Sequence, residues 1–386
     1  MAQNKDLIFD IYEKVTGRSD LDWCEIAAKH NPNMSAETLR KAGVGIRMAA
    51  EAGMMAIPGV VNEGAMDEEY IAYRKEKQKF FDARREYNKL LIADARAEEI
   101  AEGLIRAADQ LNERKPFLLE MLPQYNTDNR EAVLVLTDWH VGMVTHNIWN
   151  DYDMEVFVRR VSDVVESVQR KLKLFRPNVL HVLVLGDMIN GSIHTSCRVA
   201  SELNACDQIM TACEVLAEVI CELAADVPSV KVHCTYGNHA RSVANIQDAI
   251  HSDNYERIIP FWLKERLKYM ENVEIENEVF HEFVHVELFG KHMAATHGDL
   301  DTADTTLKIS QIFMKQFGHG LDYLVKGHYH EAKKNDNTGV KVIGVSSLCG
   351  TDEYATKKRL FATPGQTLMT FNPIDGLESV SDIEVE

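Results

Sequence analysis

Five short motifs rich in Asp, His and Asn constrain this chain more than any other feature, and most of them sit just behind an apolar run. In order they are TDWH with Asp138 and His140, GDMIN with Asp187, YGNHAR with Asn238 and His239, THGD with His297, and KGHYH with His328 and His330. A parallel sheet delivers side chains in this manner, because loops leaving the same ends of successive strands meet at one edge. Carboxylate, imidazole and amide donors without thiolate suit Mn²⁺, Fe or Zn²⁺ rather than a structural cysteine site. So many donors exceed what one ion takes, and a single bridging carboxylate would let two ions share them.

The pattern between the motifs agrees. AVLVLT (132–137), VLHVLVLG (179–186) and VKVHCTYG (230–237) read as buried strands. Helical spacing over 154–174, 199–225 and 243–268 separates them, with Pro260 a break in the last. VEIE, FVHVELFG and KHMAATHG then read as successive strands, followed by a helix over 303–317 and by LDYLVKG, VKVIGVSS and TLMTFN. The C-terminal ESVSDIEVE reads as a loose tail or an edge strand. Strand–helix alternation followed by a run of strands predicts an α/β fold with two packed sheets and helices outside.

D-x-H, GD, GNH, a lone H-G and GHxH, in that order across residues 132–350, resemble the calcineurin-like metallophosphoesterase superfamily. The resemblance implies a four-layer α-β-β-α sandwich, two mixed sheets flanked by helices. It implies that Asp138, His140 and His330 hold one divalent ion and Asn238, His297 and His328 the other, with Asp187 bridging both. The expected ions are Mn²⁺, with Fe or Zn²⁺ as alternatives. A hydroxide made available by the ions would attack phosphorus in line, and His239, not a ligand, would contact the phosphate and protonate the leaving oxygen. Asp187 and His239 are therefore the expected catalytic pair.

The chain departs from the family pattern after GNH. An acid often follows there and orients the histidine; here Ala240 and Arg241 follow. Arg241 either grips a phosphate bidentately or makes a structural ion pair. Asn190 and His194, beyond GD, are candidates to line the site, against ordinary loop polarity. Trp139, between two ligands, is expected to pack. His146, His181, His233, His281, His285, His292 and His319 have no motif context and read as structural or exposed.

The first half reads differently. Residues 1–60 form a small helical domain: a face of Leu7, Ile8, Ile11, Tyr12 and Val15, a capping box from Ser19 to Asp22, the turn NPNM, and a helix capped by Ser35 that carries Arg40 and Lys41. Two short helices about a tight turn resemble a helix-turn-helix, which makes Arg40 and Lys41 candidates for DNA contact; a packing module looks the same. GMMAIPGVVNEG (53–64) reads as a linker. Residues 61–130 form a helical arm, one long helix or a pair, and 131–386 the catalytic domain. The arm's basic stretch YRKEKQKFFDARREYNK (73–89) either meets nucleic acid or turns its aromatics to a partner helix, as a homodimer would supply.

Net charge is −18, and most of the acidic excess follows residue 130. That opposes long-range attraction of DNA by the catalytic half. The resemblance extends to the double-strand-break repair nucleases, which share this motif order, and with the helix-turn-helix-like start and the basic aromatic helix it implies a phosphodiesterase acting on DNA, a nuclease. The arrangement of helical module, arm and enzyme domain is similar to phosphoesterases of phages and prophages. The alternatives are a phosphatase or phosphodiesterase for a nucleotide, another small phosphoester or a phosphoprotein, and a binding adaptor with a dead site. No apolar run reaches membrane-span length or makes a signal peptide, so no membrane partner and a cytoplasmic setting, bacterial or phage-infected, are expected. The seven cysteines include no CxxC pair, and Cys206, Cys213 and Cys221 share one helix face as buried apolar residues.

Overall fold

The computed structural model describes residues 2–30, 35–51, 68–119, 121–193, 195–276 and 282–386. The chain divides into two compact units, Met1–Lys89 and Leu90–Glu386. In the first, α1 (Ala2–Val15), α2 (Trp23–His30) and α3 (Ala36–Glu51) close around Ile11, Ile26, Ala27 and Leu39. The capping box lies at Asp22 and Glu25, not at Ser19. Asp22 Oδ1 accepts from the Glu25 N–H at 2.8 Å and Glu25 Oε2 from the Asp22 N–H at 2.7 Å. Ser19 Oγ is taken by the Leu21 N–H in a local turn. Ser35 does cap α3, through the Thr38 N–H at 3.1 Å. The NPNM turn and the break at 53–64 lie outside the described residues. Arg40 makes two 2.9 Å hydrogen bonds to Glu37, and Lys41 lies 3.7 Å from the same carboxylate.

α4 (Glu68–Glu113) is one continuous helix of 46 residues, and the division between the units falls within it. Tyr73, Phe80, Phe81 and Tyr87 on it are exposed. No helix among the described residues is long and apolar enough to cross a membrane.

The second unit contains two sheets. The first has the order β13-β12-β1-β4-β5-β6, from β1 (Glu131–Leu136), β4 (Val179–Leu185), β5 (Ser229–Thr235), β6 (Val273–Ile275), β12 (Gly365–Asn372) and β13 (Gly376–Glu384). β1, β4, β5 and β6 run parallel, and β12 and β13 close the edge antiparallel. The C-terminal stretch is thus an edge strand. The second has the order β10-β11-β9-β8-β7, from β7 (Val284–Leu288), β8 (Lys291–Thr296), β9 (Tyr323–Lys326), β10 (Lys333–Asn337) and β11 (Val340–Gly344). A two-stranded ribbon of β2 (Thr145–His146) and β3 (Asp151–Tyr152) follows the first motif.

Strand periodicity of two sorts the apolar residues into layers. Val133, Val135, Leu183 and Leu185 face Val286, Met293, Val325 and Ile343 between the sheets. Their neighbours Leu134, Leu136, Val182 and Val184 face outward under α5 (Met154–Phe175), α7 (Ala205–Ala224) and α8 (Ile258–Leu267). On the far side Ala294, Leu324 and Val342 pack against Ile309 and Phe313 of α9 (Ala303–Phe317). Helix, sheet, sheet, helix: this is the four-layer α/β sandwich the motifs implied. The short helices α6 (Thr195–Val199) and α10 (Glu353–Lys358) lie in connections. Cys206 and Cys213 are buried on α7 and Cys221 half-buried, all free thiols.

One expectation fails here. Residues 243–254 are turns, not helix; a 3₁₀ turn (Tyr255–Arg257) leads into α8. Val243, Ile246 and Ile250 have helical spacing but are exposed, so nothing rewards the period. Asn254 caps the turn through the Glu256 N–H at 3.0 Å, and Pro260 sits in the first turn of α8, where a missing N–H costs nothing.

Candidate metal centre

Each motif stands at the C-terminal end of a parallel strand. Asp138 and His140 follow β1, Asp187 follows β4, Asn238 and His239 follow β5, His297 follows β8, and His328 and His330 follow β9. The loops continue the sheet after the strands stop. Asp138 N–H donates to Gly186 O at 3.1 Å, His140 N–H to Asp187 O at 3.0 Å, and Val141 N–H to Met188 O at 2.9 Å. The glycines ahead of the ligands permit this approach. A Cβ on Gly186 would lie 2.2 Å from the Gly237 nitrogen, and one on Gly237 would lie 2.1 Å from Asp187 Oδ1.

The backbone at the site is strained. Nine non-glycine residues among those described have positive φ. Arg176 and Arg359 are left-handed helix caps, and Phe289 and Thr338 occupy two-residue hairpin turns ahead of a glycine. The other five are Asp138, His140, Asp187, His328 and His330, with φ of 52°, 46°, 49°, 64° and 57°.

The side chains converge in two groups. In one, Asp138 Oδ1 is 3.3 Å from His330 Nε2 and 3.8 Å from His140 Nε2. In the other, His297 Nε2 lies 3.1 Å from Asp187 Oδ2 and 3.2 Å from Asn238 Oδ1, with His328 alongside. Asp187 also clusters with His140 and His239, so it stands between the two groups. Two donors each about 2.0–2.2 Å from a shared cation sit about 3.0–3.5 Å apart, the spacing of three of these four pairs. Asp138 Oδ1 and both ring nitrogens of His140 are buried without a hydrogen-bond partner, a state that a cation resolves. The residues present therefore fit divalent ions.

Charge tells the same story. Burial and neighbouring histidines push His140 down, to about 3, so it is a neutral donor. Burial also opposes charge on His297 and His239, but the Asp187 carboxylate overrides it and holds them up, at about 10 and about 9. The His330 charge, favoured by Cys349 and Asp138 against burial, holds Asp138 well below the carboxylate range despite its own burial. The centre attracts positive charge, and protons take that place without a metal.

His297 Nδ1 donates to Leu185 O at 2.9 Å, which turns its Nε2 lone pair to the site. His239 Nδ1 donates to Asn190 O at 2.9 Å. A backbone carbonyl thus orients His239 where an acid was expected. Ala240 cannot serve, because it is buried against the helical layer and its carbonyl accepts from the Tyr255 N–H at 2.9 Å. His239 Nε2 is 4.0 Å from Asp187 Oδ2, and its N–H donates to Asp187 Oδ1 at 2.8 Å.

Asn190 contributes that carbonyl; its buried side chain points elsewhere, Nδ2 donating to Cys197 O at 3.0 Å. Arg241 donates to Asn238 O, Val243 O and Ala244 O at 3.0, 3.0 and 2.8 Å. It braces its own loop through carbonyls, where an ion pair or a phosphate clamp was expected. His194 lies outside the described residues, as does His281. Trp139 packs as expected, buried against Phe157, with Nε1 donating to Gln366 Oε1 at 3.2 Å. His181 is buried with His233 and Glu131 at 3.2 Å from each, and His146 pairs with Asp151 on the surface.

Two residues that no motif marks hold the loops. Buried Glu256 accepts four backbone N–H groups: Met188 at 2.7 Å and Ile189 at 3.2 Å on Oε1, Asp187 at 3.1 Å and Gly237 at 2.9 Å on Oε2. Burial and Asp187 push its carboxyl up to about 7. The four donors oppose that shift, and since both oxygens accept, the fold is built around the carboxylate. Gln366 ties β12 to the first motif, its Oε1 accepting from the Thr137 N–H at 2.8 Å.

A family model for the calcineurin-like phosphoesterase domain matches residues 132–344. A curated relative, the SPbeta prophage-derived uncharacterized protein YonJ of Bacillus subtilis (strain 168), is 23% identical over 308 residues, 77% of this chain and 74% of the relative. Among solved structures, a novel archaeal phosphodiesterase is 14% identical over 66% of this chain and 99% of its own, with a TM-score of 0.33. Vps29 of Entamoeba histolytica, complexed with zinc, is 15% identical over the same shares, with a TM-score of 0.29. With the family match spanning more than half of its length, the chain belongs to the calcineurin-like phosphoesterase family of metal-dependent phosphoester hydrolases.

Proposed function

We propose that the protein is a phosphodiesterase that cleaves DNA at a pair of divalent ions, Mn²⁺ first among them. The observation that carries the chemistry is Asp187 standing between two donor groups, Asp138/His140/His330 and Asn238/His297/His328. The ions supply a water of lowered pKa as nucleophile and neutralise charge on the phosphoryl oxygens. The chain's own residues do the rest. The strained loops fix the donors, Asn190 O and Asp187 Oδ1 fix His239, and the His239 Nε2 proton goes to the leaving oxygen.

For the substrate, the support is α4. Its exposed Tyr73, Phe80, Phe81 and Tyr87 alternate with Arg74, Lys75, Lys77, Lys79, Arg84, Arg85 and Lys89. Aromatic faces among cations suit unpaired bases and phosphates. The acidic excess after residue 130 favours a second reading, a small phosphoester or phosphoprotein as substrate. Incubation with Mn²⁺ and single-stranded DNA, duplex DNA, bis-p-nitrophenyl phosphate or p-nitrophenyl phosphate separates the two. Cleavage of DNA and of the diester is expected; cleavage of the monoester alone would overturn the nuclease reading.

A further inference from the structure

Three histidines outside every motif meet on the outer face of the second sheet. His285 is on β7 and His292 on β8, the two joined by the Phe289–Gly290 turn. His285 and Glu287 share a face of β7, and Glu287 stands directly opposite His292 across the ladder. His319 follows Gly318, the left-handed cap that ends α9. The loop carrying His319 is tied to β8, since Asp322 accepts the His292 N–H at 2.9 Å and pairs with Lys291 at 2.9 Å.

One ligand nitrogen from each ring lies within 4.8 Å of the others. His285 Nε2 and His292 Nδ1 are 3.3 Å apart. That is within hydrogen-bond reach, so one ring can donate to the other. The spacing also matches two imidazole nitrogens about 2.0–2.1 Å from one tetrahedral ion, which sit about 3.3–3.4 Å apart. All three rings are half-buried, so solvent ions reach them, and Phe313 and Phe317 close the side toward α9.

We propose that His285, His292 and His319 form a Zn²⁺ site separate from the phosphoesterase centre. The His319 ring lies stacked on His292, centroids 3.3 Å apart, so it must turn out of the stack to aim a nitrogen at the ion, and the exposed Glu287 or a water then completes the tetrahedron. All-imidazole donors select Zn²⁺ over the Mn²⁺ or Mg²⁺ that oxygen-rich sites prefer. The ion joins edge strand β7, β8 and the end of α9, so its effect is on the order of this layer rather than on phosphoryl chemistry. This inference does not depend on the substrate proposed above.

The test uses the full-length protein stripped of metal, then titrated with Zn²⁺ in the presence of saturating Mn²⁺. Zinc bound per chain after desalting is compared among wild type, His285→Asn and His319→Asn, with circular dichroism to confirm folding. The expected result is one more zinc equivalent in wild type than in either variant, the lost equivalent binding at least ~100-fold more weakly, since even outer-shell partners change metal affinity by ~10–100-fold. Diester hydrolysis in Mn²⁺ stays unchanged. Equal zinc content in wild type and the folded variants would overturn the site and leave the histidines as packing partners of Phe313 and Phe317. Should His285→Asn misfold, His319→Asn, in a loop, decides alone.

Discussion

The Glu256 carboxylate accepts the backbone N–H of Asp187 at 3.1 Å, across 69 positions of sequence. The same oxygen accepts from Gly237 at 2.9 Å, and the other from Met188 and Ile189. One buried side chain thus fixes the two loops that place Asp187 and Asn238. Glu256→Gln leaves an amide nitrogen facing N–H donors. It should weaken metal binding by about 10–100-fold and destabilise the protein by about 1–3 kcal/mol. Calorimetric titration with Mn²⁺ and thermal melts measure both; a variant that melts lower but binds Mn²⁺ as tightly as wild type would reduce Glu256 to a purely structural role.

Asp187→Asn removes the shared carboxylate. Diester hydrolysis should fall at least ~10²-fold, and both bound equivalents should weaken together. Retention of one tight equivalent would show that Asp187 serves a single ion.

His239→Gln should lower kcat about 10²–10⁴-fold, with metal content unchanged, because the ring is held by Asn190 O and not by the donor groups. The loss should shrink for a diester with a nitrophenolate leaving group, which needs less protonation. An equal loss on both substrates would point to phosphate binding instead.

Acidity gives a signed prediction. His239 and His297 are raised from 6.5 to about 9 and about 10 in the metal-free protein. A raised folded-state pKa contributes stability present below pH 6.5 and lost as pH climbs through the raised value. The metal-free protein should therefore melt at progressively lower temperature from pH 6.5 to 10. A cation displaces the proton on the donor His297, so Mn²⁺ affinity should rise over that window by up to about tenfold per pH unit for each proton released. Saturating Mn²⁺ should flatten the melting profile. A profile with the same slope with and without Mn²⁺ would contradict this.

Away from the centre, Glu214 on α7 accepts Trp262 Nε1 at 2.6 Å, Arg266 Nε at 3.0 Å and Arg114 at 2.7 Å. Glu214→Ala strands the buried Arg266 guanidinium and should cost about 3–5 kcal/mol. Arg114→Ala, at the exposed end, should cost about 0–1 kcal/mol. Urea unfolding measures both.

Much of this centre was readable because strand ends announce themselves. An apolar run ending in Gly-Asp, Gly-Asn-His or Gly-His states both the element and its exit, and all seven expected donors meet in space. What was not readable depends on tertiary contact. Glu256 and Gln366 act on backbone far away in sequence, and neither residue type signals that. The polar strand KKNDN of β10 has no apolar alternation because it lies exposed on an edge. Val243, Ile246 and Ile250 gave a false helical period since no core receives them. The orienter of His239 was hidden for a simpler reason: a carbonyl has no letter of its own.

The five left-handed residues in the donor loops bear on how such a centre is inherited. Each conformation costs on the order of 1–3 kcal/mol for a residue other than glycine, so substitution at Asp138, His140, Asp187, His328 or His330 by glycine relieves backbone strain while destroying a donor. This chain keeps all five, so its loops hold the strain together with the donors that the strain positions.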